Sequence, residues 1–458
     1  GTMTAATQTR PKPWQFMVLL GLIMTSAAGA QELIEEPDFY FFGDTRIGYE
    51  HLDGQFRAGL SGSDSASTMR TLVASGWQSE QVGLHFELQD ARAYGNDAGT
   101  PTSTSLVNAL EPLQFYASID INPLDQLLHS SRLKLGRFTM DIGSRRFVER
   151  NNYRNTINAY SGAHWTGEFL NGLRLDGFYV NPVRRYPRDR DGMERNEFVL
   201  DKPYQPREFW GIHLQNFQLP LDILGELFIY GLSEKDTPEF ATQDREVYAP
   251  GFRLRRPADE GRIDFELETA FRSGEISTST TPGSPMVDVH ARMVHAEIGY
   301  TMESPWSHRL SLEWDLATGD DTDTTTYERY DRFYGTRRGD LGNTRIHGPL
   351  TRSNASIAGI RYQFSNGVTD GRMVFQHALL DSATDAWIVA GRRDPSGASG
   401  REIGQTFDFR VRHWIIRDRI RGDVGGSVLW LGDFPKTLAD GPEDSRTEYV
   451  YSQISFYF

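Results

Sequence analysis

The chain has 458 residues, with 62 Asp and Glu against 48 Lys and Arg, a net charge of -14, 12% aromatic residues and no cysteine. Basic residues are interleaved with acids throughout, which leaves no basic patch for nucleic acid. Without cysteine there is no disulfide framework, so a chain of this length must rely on a core or on a closed sheet.

The N-terminus reads as a secretory signal peptide over residues 1–30. Arg10 and Lys12 give a positive n-region, residues 16–24 a short apolar run, and Ala28-Gly29-Ala30 a small-residue cleavage site. Gly1-Thr2 ahead of Met3 reads as a cloning remnant, and the mature chain is expected to begin near Gln31. Mean hydropathy is -0.51. No later stretch approaches the roughly 18 apolar residues of a spanning helix. No Pro/Ser-rich linker or composition shift follows residue 31, so residues 31–458 are expected to form a single domain.

From there the apolar pattern has period two. "VGLHFELQ" sets Val82, Leu84, Phe86 and Leu88 against His85, Glu87 and Gln89. "RIDFELETAFR" sets Ile263, Phe265, Leu267 and Phe271 against Asp264, Glu266, Glu268 and Arg272. "RLSLEWDLA" and "TFDFRVRH" repeat the pattern, the latter with Asp408, Arg410 and Arg412 opposite Phe407, Phe409 and Val411. Successive strand side chains point to opposite faces, so these are strands with one apolar and one charged face. Strands are predicted at 39–52, 68–78, 81–93, 112–122, 132–140, 155–168, 170–181, 207–217 and 224–233. They continue at 248–256, 262–273, 287–302, 308–318, 355–365, 370–380, 403–415, 419–431 and 446–458. Such strands are longer than the five or six residues usual in soluble sheets.

The gaps between them alternate. Tight turns such as "QSE", "FSNG" and "RDR" follow long Gly-, Asp- and Thr-rich loops. The chain ends in "YVYSQISFYF", with Val450, Ile454, Phe456 and Phe458 on one face, like the terminal signal of outer-membrane barrels. Short turns on one side, long loops on the other and an even strand count predict an all-β, transmembrane antiparallel barrel of about 18 strands. It would lie in a bacterial outer membrane, with periplasmic turns and extracellular loops. Hydrocarbon offers no hydrogen-bond partners to an open sheet edge, so the sheet must close.

Several motifs, in order along the chain, resemble the alginate export family of outer-membrane porins. They are "LKLGRFTMDIGSRRFVERNNYRNTINAYSGAHW", "WDLATGD", "FYGTRRGDLGNTRIHGPLTRSN" and "IGQTFDFRV". The resemblance implies an eighteen-stranded monomeric barrel whose arginine-rich constriction passes an anionic polysaccharide such as alginate to the exterior. It also implies a periplasmic helical-repeat scaffold as partner. In the alginate exporter a long periplasmic turn near the last strands helps close the pore. Here only a tight turn stands between Trp414 and Asp423.

The candidate pore residues are arginines, because a guanidinium is always charged and bonds carboxylate or sulfate as a planar fork. Arg137, Arg145, Arg146, Arg150 and Arg154 cluster in one strand end and loop. Arg70, Arg92, Arg361, Arg410 and Arg412 are expected to add lumenal charge from strands. The resemblance supports Arg70 and Arg137 most. Arg137 shares parity with Leu133 and Leu135, so it points inward only if Gly136 marks a bulge. The alternative for any strand arginine is bracing, since Glu266, Glu268, Glu313, Asp315 and Asp408 share the charged faces.

Nothing in the sequence points to a cofactor or metal. His290 and His295 fall on opposite faces of one strand, and Asp320, Asp321 and Asp323 read as a solvated loop. No glycine-rich phosphate loop opens a helix. An export channel for an anionic exopolysaccharide is the leading expectation. A diffusive porin for small anionic sugars is the first rival, and a rim-sited barrel hydrolase or an envelope scaffold the second.

Overall fold

A computed structural model describes residues 38–121, 128–322, 325–336, 341–342 and 347–458. The expected signal peptide lies outside them. The strands are β1 (Asp38–Asp53), β2 (Asp64–Gln78), β3 (Val82–Tyr94), β4 (Asn108–Asp120), β5 (Leu128–Phe138) and β6 (Tyr160–Phe169). Next come β7 (Arg174–Arg184), β8 (Arg207–Leu219), β9 (Ile223–Glu234), β10 (Glu246–Arg256), β11 (Ile263–Ser277) and β12 (Met286–Met302). The last are β13 (His308–Ala317), β14 (Ala355–Ser365), β15 (Thr369–Leu379), β16 (Glu402–Ile416), β17 (Ile420–Leu431) and β18 (Arg446–Tyr457). Each pairs antiparallel with its neighbours in the chain. β18 returns to β1, with Tyr457 opposite Asp44 and Glu448 opposite Asp53, so the sheet has no free edge.

The side-chain distribution inverts that of a soluble protein. On β11, Ile263 and Phe271 are more than half exposed, while Asp264 and Glu268 on the other face are buried. Ile47, Phe86, Ile298, Leu312, Ile360 and Val450 continue the exposed apolar belt around the barrel. This is the surface a bilayer requires, with the charged face turned to the lumen. At the C-terminus Phe458 exchanges backbone hydrogen bonds with Gly43 at 3.0 and 2.8 Å, extending the β1–β18 seam.

Loops and turns alternate as the sequence predicted. Three residues join β2 to β3, β8 to β9, β14 to β15 and β16 to β17. Residues 139–159, 185–206 and 380–401, and the described residues between β13 and β14, form long connections at the other end. One boundary differs substantially. β6 begins at Tyr160, not near residue 155. Asn155 is drawn out of line because its amide donates to the Leu106 carbonyl at 2.7 Å, and the Ile157 N–H donates to Gln89 at 3.0 Å.

A loop across the lumen and the candidate pore site

Residues 139–159 enter the barrel and bridge it. On one wall, Arg150 forks onto Glu87 of β3, at 2.6 and 2.9 Å. Arg70 of β2 donates to the carbonyls of Asn152 and Arg154 at 2.9 and 3.1 Å. Arg46 of β1 donates to the same two carbonyls. On the opposite wall, the Arg146 guanidinium donates to Glu268 of β11 at 2.6 Å and to Glu266, and Ser144 donates to Glu268 at 2.8 Å. Gly143, at φ 57°, is needed between them, because a Cβ there would run into the His213 ring of β8.

The middle of the loop is apolar and fills space. Phe147 packs on Phe228 and Tyr230 of β9, with ring centroids 4.8 and 5.4 Å apart. Met140, Ile142 and Val148 join them in a buried cluster with residues of β5 to β13. Val148 also pairs with Tyr334 of the 318–354 loop, which bonds through its hydroxyl to Arg207 at 2.9 Å. No residue of β14 to β18 belongs to this cluster. Dispersion and apolar burial hold the loop's centre, and buried ion pairs hold its ends.

The wall outside that cluster carries Arg361 on β14, Arg372 on β15, and Arg410 and Arg412 on β16. Arg372 and Arg410 are direct cross-strand partners, as are Arg46 and Arg70. Like charges placed opposite each other weaken a sheet. Arg361 is tied to Glu313 at 2.5 Å and Arg412 to Asp370 at 2.9 Å. The Nε of Arg410 has no hydrogen-bond partner among the described residues.

The structure therefore gathers Arg70, Arg146, Arg150, Arg154, Arg361, Arg410 and Arg412 inside the barrel. Three expectations change. Arg92 is not lumenal. It shares parity with Leu84 and Phe86 on the outward face, where it pairs with Asp90 at 2.9 Å. Arg137 is not lumenal either, because the β4–β5 register runs through Gly136 without a bulge. It stays on the face of Leu135 and Phe115, with its guanidinium 5.1 Å over the Phe115 ring. Glu111 at 2.7 Å and the Asp201 carbonyl at 3.3 Å bury it beneath the 185–206 loop. Arg145 and Arg146 part company: Arg146 is buried in its ion pairs, while the Arg145 side chain is 57% exposed.

In the 185–206 loop, burial and then the Glu111 carboxylate push Asp201 up to about 7. Its Oδ1 accepts from Asn108 at 2.9 Å and from the Tyr186 N–H at 2.8 Å.

Sequence reasoning missed Arg46 and Arg372. The signal was present, since "TRIGYE" and "GRMVFQ" place each opposite exposed apolar neighbours at period two. Among the described residues no three His, Asp or Glu side chains converge as a metal site, and Asp323 lies outside them.

A family model described as alginate export matches residues 41–448. The solved structure of OccK2 (OpdF) from Pseudomonas aeruginosa is similar, with TM-score 0.58 and 13% identity over 92% of this chain and 98% of that one. The same porin in complex with glucuronate gives TM-score 0.56 and 12% identity, over 92% and 96% of the two chains. A BenF-like porin from Pseudomonas fluorescens Pf-5 gives TM-score 0.60 and 11% identity, over 92% and 98%. At these identities the likeness is one of fold. No curated protein sequence matches the chain.

Proposed function

The chain belongs to the alginate export family and is a channel of the bacterial outer membrane rather than an enzyme; from that premise we propose that it exports an anionic, carboxylated polysaccharide past the arginines of β14 to β16. The observation that carries this reading is the Arg372–Arg410 cross-strand pair beside Arg361 and Arg412. Facing guanidinium groups destabilise a closed sheet unless an anion or a carboxylate screens them. Asp408, next along the same face, supplies part of that charge; a passing carboxylate adds to it, and a row of such sites keeps each contact weak enough for release. The inward loop crosses the lumen from β2 to β11 and packs on β5 to β13, so that the polymer passes on the side of the β14–β16 guanidinium groups. Arg46, Arg70, Arg146 and Arg150 serve this reading indirectly, by holding the loop.

A second reading, diffusive uptake of small sugar acids, draws support from the three-residue turn between β16 and β17. A turn this short cannot cover the inner mouth. Binding of glucuronate by the similar OccK2 porin fits the same ligand class.

Planar-bilayer recordings with uronate oligomers of increasing length separate the two. Export predicts anion selectivity and blocking events that lengthen with oligomer length when the oligomer is added on the short-turn side. Uptake predicts brief block by the monomer and exclusion of longer oligomers. A cation-selective channel indifferent to uronates would refute both.

A further inference from the structure

At the long-loop end of the barrel, apart from the β14–β16 arginines, lies a cavity of about 610 Å³. That is the size range of small-molecule sites. Its floor is apolar: Val247, Ile276 and Val289, from β10, β11 and β12, are each at most 3% exposed. Ile388 and Val389 of the 380–401 loop add an apolar side. Six arginines line the remainder, and Asp331 is the one carboxylate among the lining residues.

We propose that this vestibule is a binding site of its own for an amphipathic organic anion, a carboxylate carried on an apolar body, as in an aryl uronide.

Most of the lining arginines are neutralised by protein carboxylates. Arg245 lies between Glu234 and Asp331, at 2.8 Å from each, and Arg272 is also tied to Asp331. Arg329 forks onto Asp385, and Arg352 donates to Asp315 at 2.8 Å. Arg332 differs, because its Nη1 donates to a neutral acceptor, the Gly335 carbonyl, at 2.6 Å, while the Asp331 and Glu149 carboxylates act on it through space. Burial weighs against its charge and lowers its pKa. Burial likewise pushes the Asp331 carboxyl up, but Arg272, Arg245 and then Arg332 outweigh it and hold it at about 2. Asp331 therefore stays ionised, and its one charge is shared among three guanidinium groups, with its direct contacts to Arg245 and Arg272. An incoming carboxylate beside Arg332 gains a charge-assisted bond in a partly desolvated place, where such bonds are strongest. Its apolar body then covers Ile388 and Val389 and removes them from water. A bare sugar acid can make the first contact but not the second, which is why the site distinguishes the two classes.

The inference goes beyond the channel reading and does not need it, so its test measures binding without current. The barrel is purified in detergent, and its folding is checked by heat-modifiable gel mobility. Phenyl glucuronide and glucuronate are then titrated by calorimetry. Phenyl glucuronide is expected to bind more tightly by about tenfold or more, from burial of the ring. Arg332→Gln should weaken phenyl glucuronide binding. The double variant Ile388→Ser/Val389→Ser should erase the preference for the aryl compound while leaving glucuronate binding unchanged. Equal affinities in the parent, absence of binding, or a preference that survives the double serine variant overturns the proposal. So does a loss carried by Arg410→Gln in place of the vestibule variants, since binding would then lie in the constriction. Failure of the channel reading would appear separately, as cation selectivity with calorimetric binding intact.

Discussion

Replacing Arg146 with Gln should free the tip of the inward loop while leaving the barrel intact. Arg146 is 5% exposed, and it neutralises Glu268, which is fully buried. Removing one partner of a buried ion pair costs about 3–5 kcal/mol, because the other charge is left stranded. The lower figure applies here. Glu266 keeps Arg253 at 2.7 Å, and Glu268 keeps the Ser144 hydroxyl at 2.8 Å. At about 1.4 kcal/mol per factor of ten, a loss of about 3 kcal/mol shifts the docked-to-undocked ratio of the tip roughly a hundredfold. The strands do not share this cost, since no ladder hydrogen bond runs through Arg146. The far end also stays clamped by Arg150 on Glu87. Single-channel recordings should show a noisier, larger current, with unchanged heat-modifiable mobility. Adding Glu268→Gln should quieten it again, because the stranded carboxylate is then gone while Glu266 keeps Arg253. A variant with the parent's conductance and noise would refute the assignment of Arg146 as the loop's anchor.

Arg372→Gln combined with Arg410→Gln should move the reversal potential in a salt gradient towards cation preference, and an unmoved potential would assign these arginines to bracing. Arg145→Glu, at an exposed position, should change stability by less than about 0.5 kcal/mol, as read by thermal gel shift. Arg137→Gln should leave conductance alone but expose residues 185–206 to protease, since it strands Glu111 beneath that loop; an altered selectivity would place Arg137 in the pore after all. The same loop should loosen as pH rises. Asp201, pushed up to about 7 by burial and then Glu111, binds a proton in the docked loop that the undocked loop releases near pH 4. Its contribution is therefore full below about pH 4 and is lost on the way up to about pH 7. Hydrogen exchange over residues 185–206, corrected for intrinsic rates, should show this loss, and Asp201→Asn should abolish it.

The architecture was legible in the sequence because a bilayer imposes a period of two on every strand. The pattern of "RIDFELETAFR" sorts Asp264 and Glu268 inward and Ile263 and Phe271 outward with no knowledge of the neighbours. The same rule, applied strictly, assigns Arg92 to the outer face with Phe86, and Arg137 with Leu135. Arg137 is expected in the lumen on the family resemblance and a bulge at Gly136, and Arg92 as added lumenal charge from its strand, in both cases against that rule. The structure resolves the conflict locally: Arg92 finds Asp90, and Arg137 is roofed over with Glu111. The loop is a different matter. Arg146 meets Glu266 and Glu268 across some 120 positions of sequence, and no local pattern announces such a contact. Nor does period two reveal cross-strand register, which is why the facing of Arg46 with Arg70 and of Arg372 with Arg410 emerges only from the paired sheet.

The loop of residues 139–159 also has a mechanical consequence. A closed single-layer sheet of eighteen strands encloses a lumen too wide for its wall side chains to fill, so the wall alone does not brace one side against the other. Here a spoke crosses the interior, pinned by Arg146 to β11 and by Arg46, Arg70 and Arg150 to β1, β2 and β3. Because the pins are ion pairs and charge-assisted bonds on opposite walls, flattening along the spoke compresses packed side chains and widening along it pulls buried charges apart. The cross-section is thereby given a fixed diameter in one direction and left compliant in the perpendicular one. Lateral pressure from the membrane is resisted unequally, and any breathing of the barrel is confined to the axis along which β14 to β16 can yield.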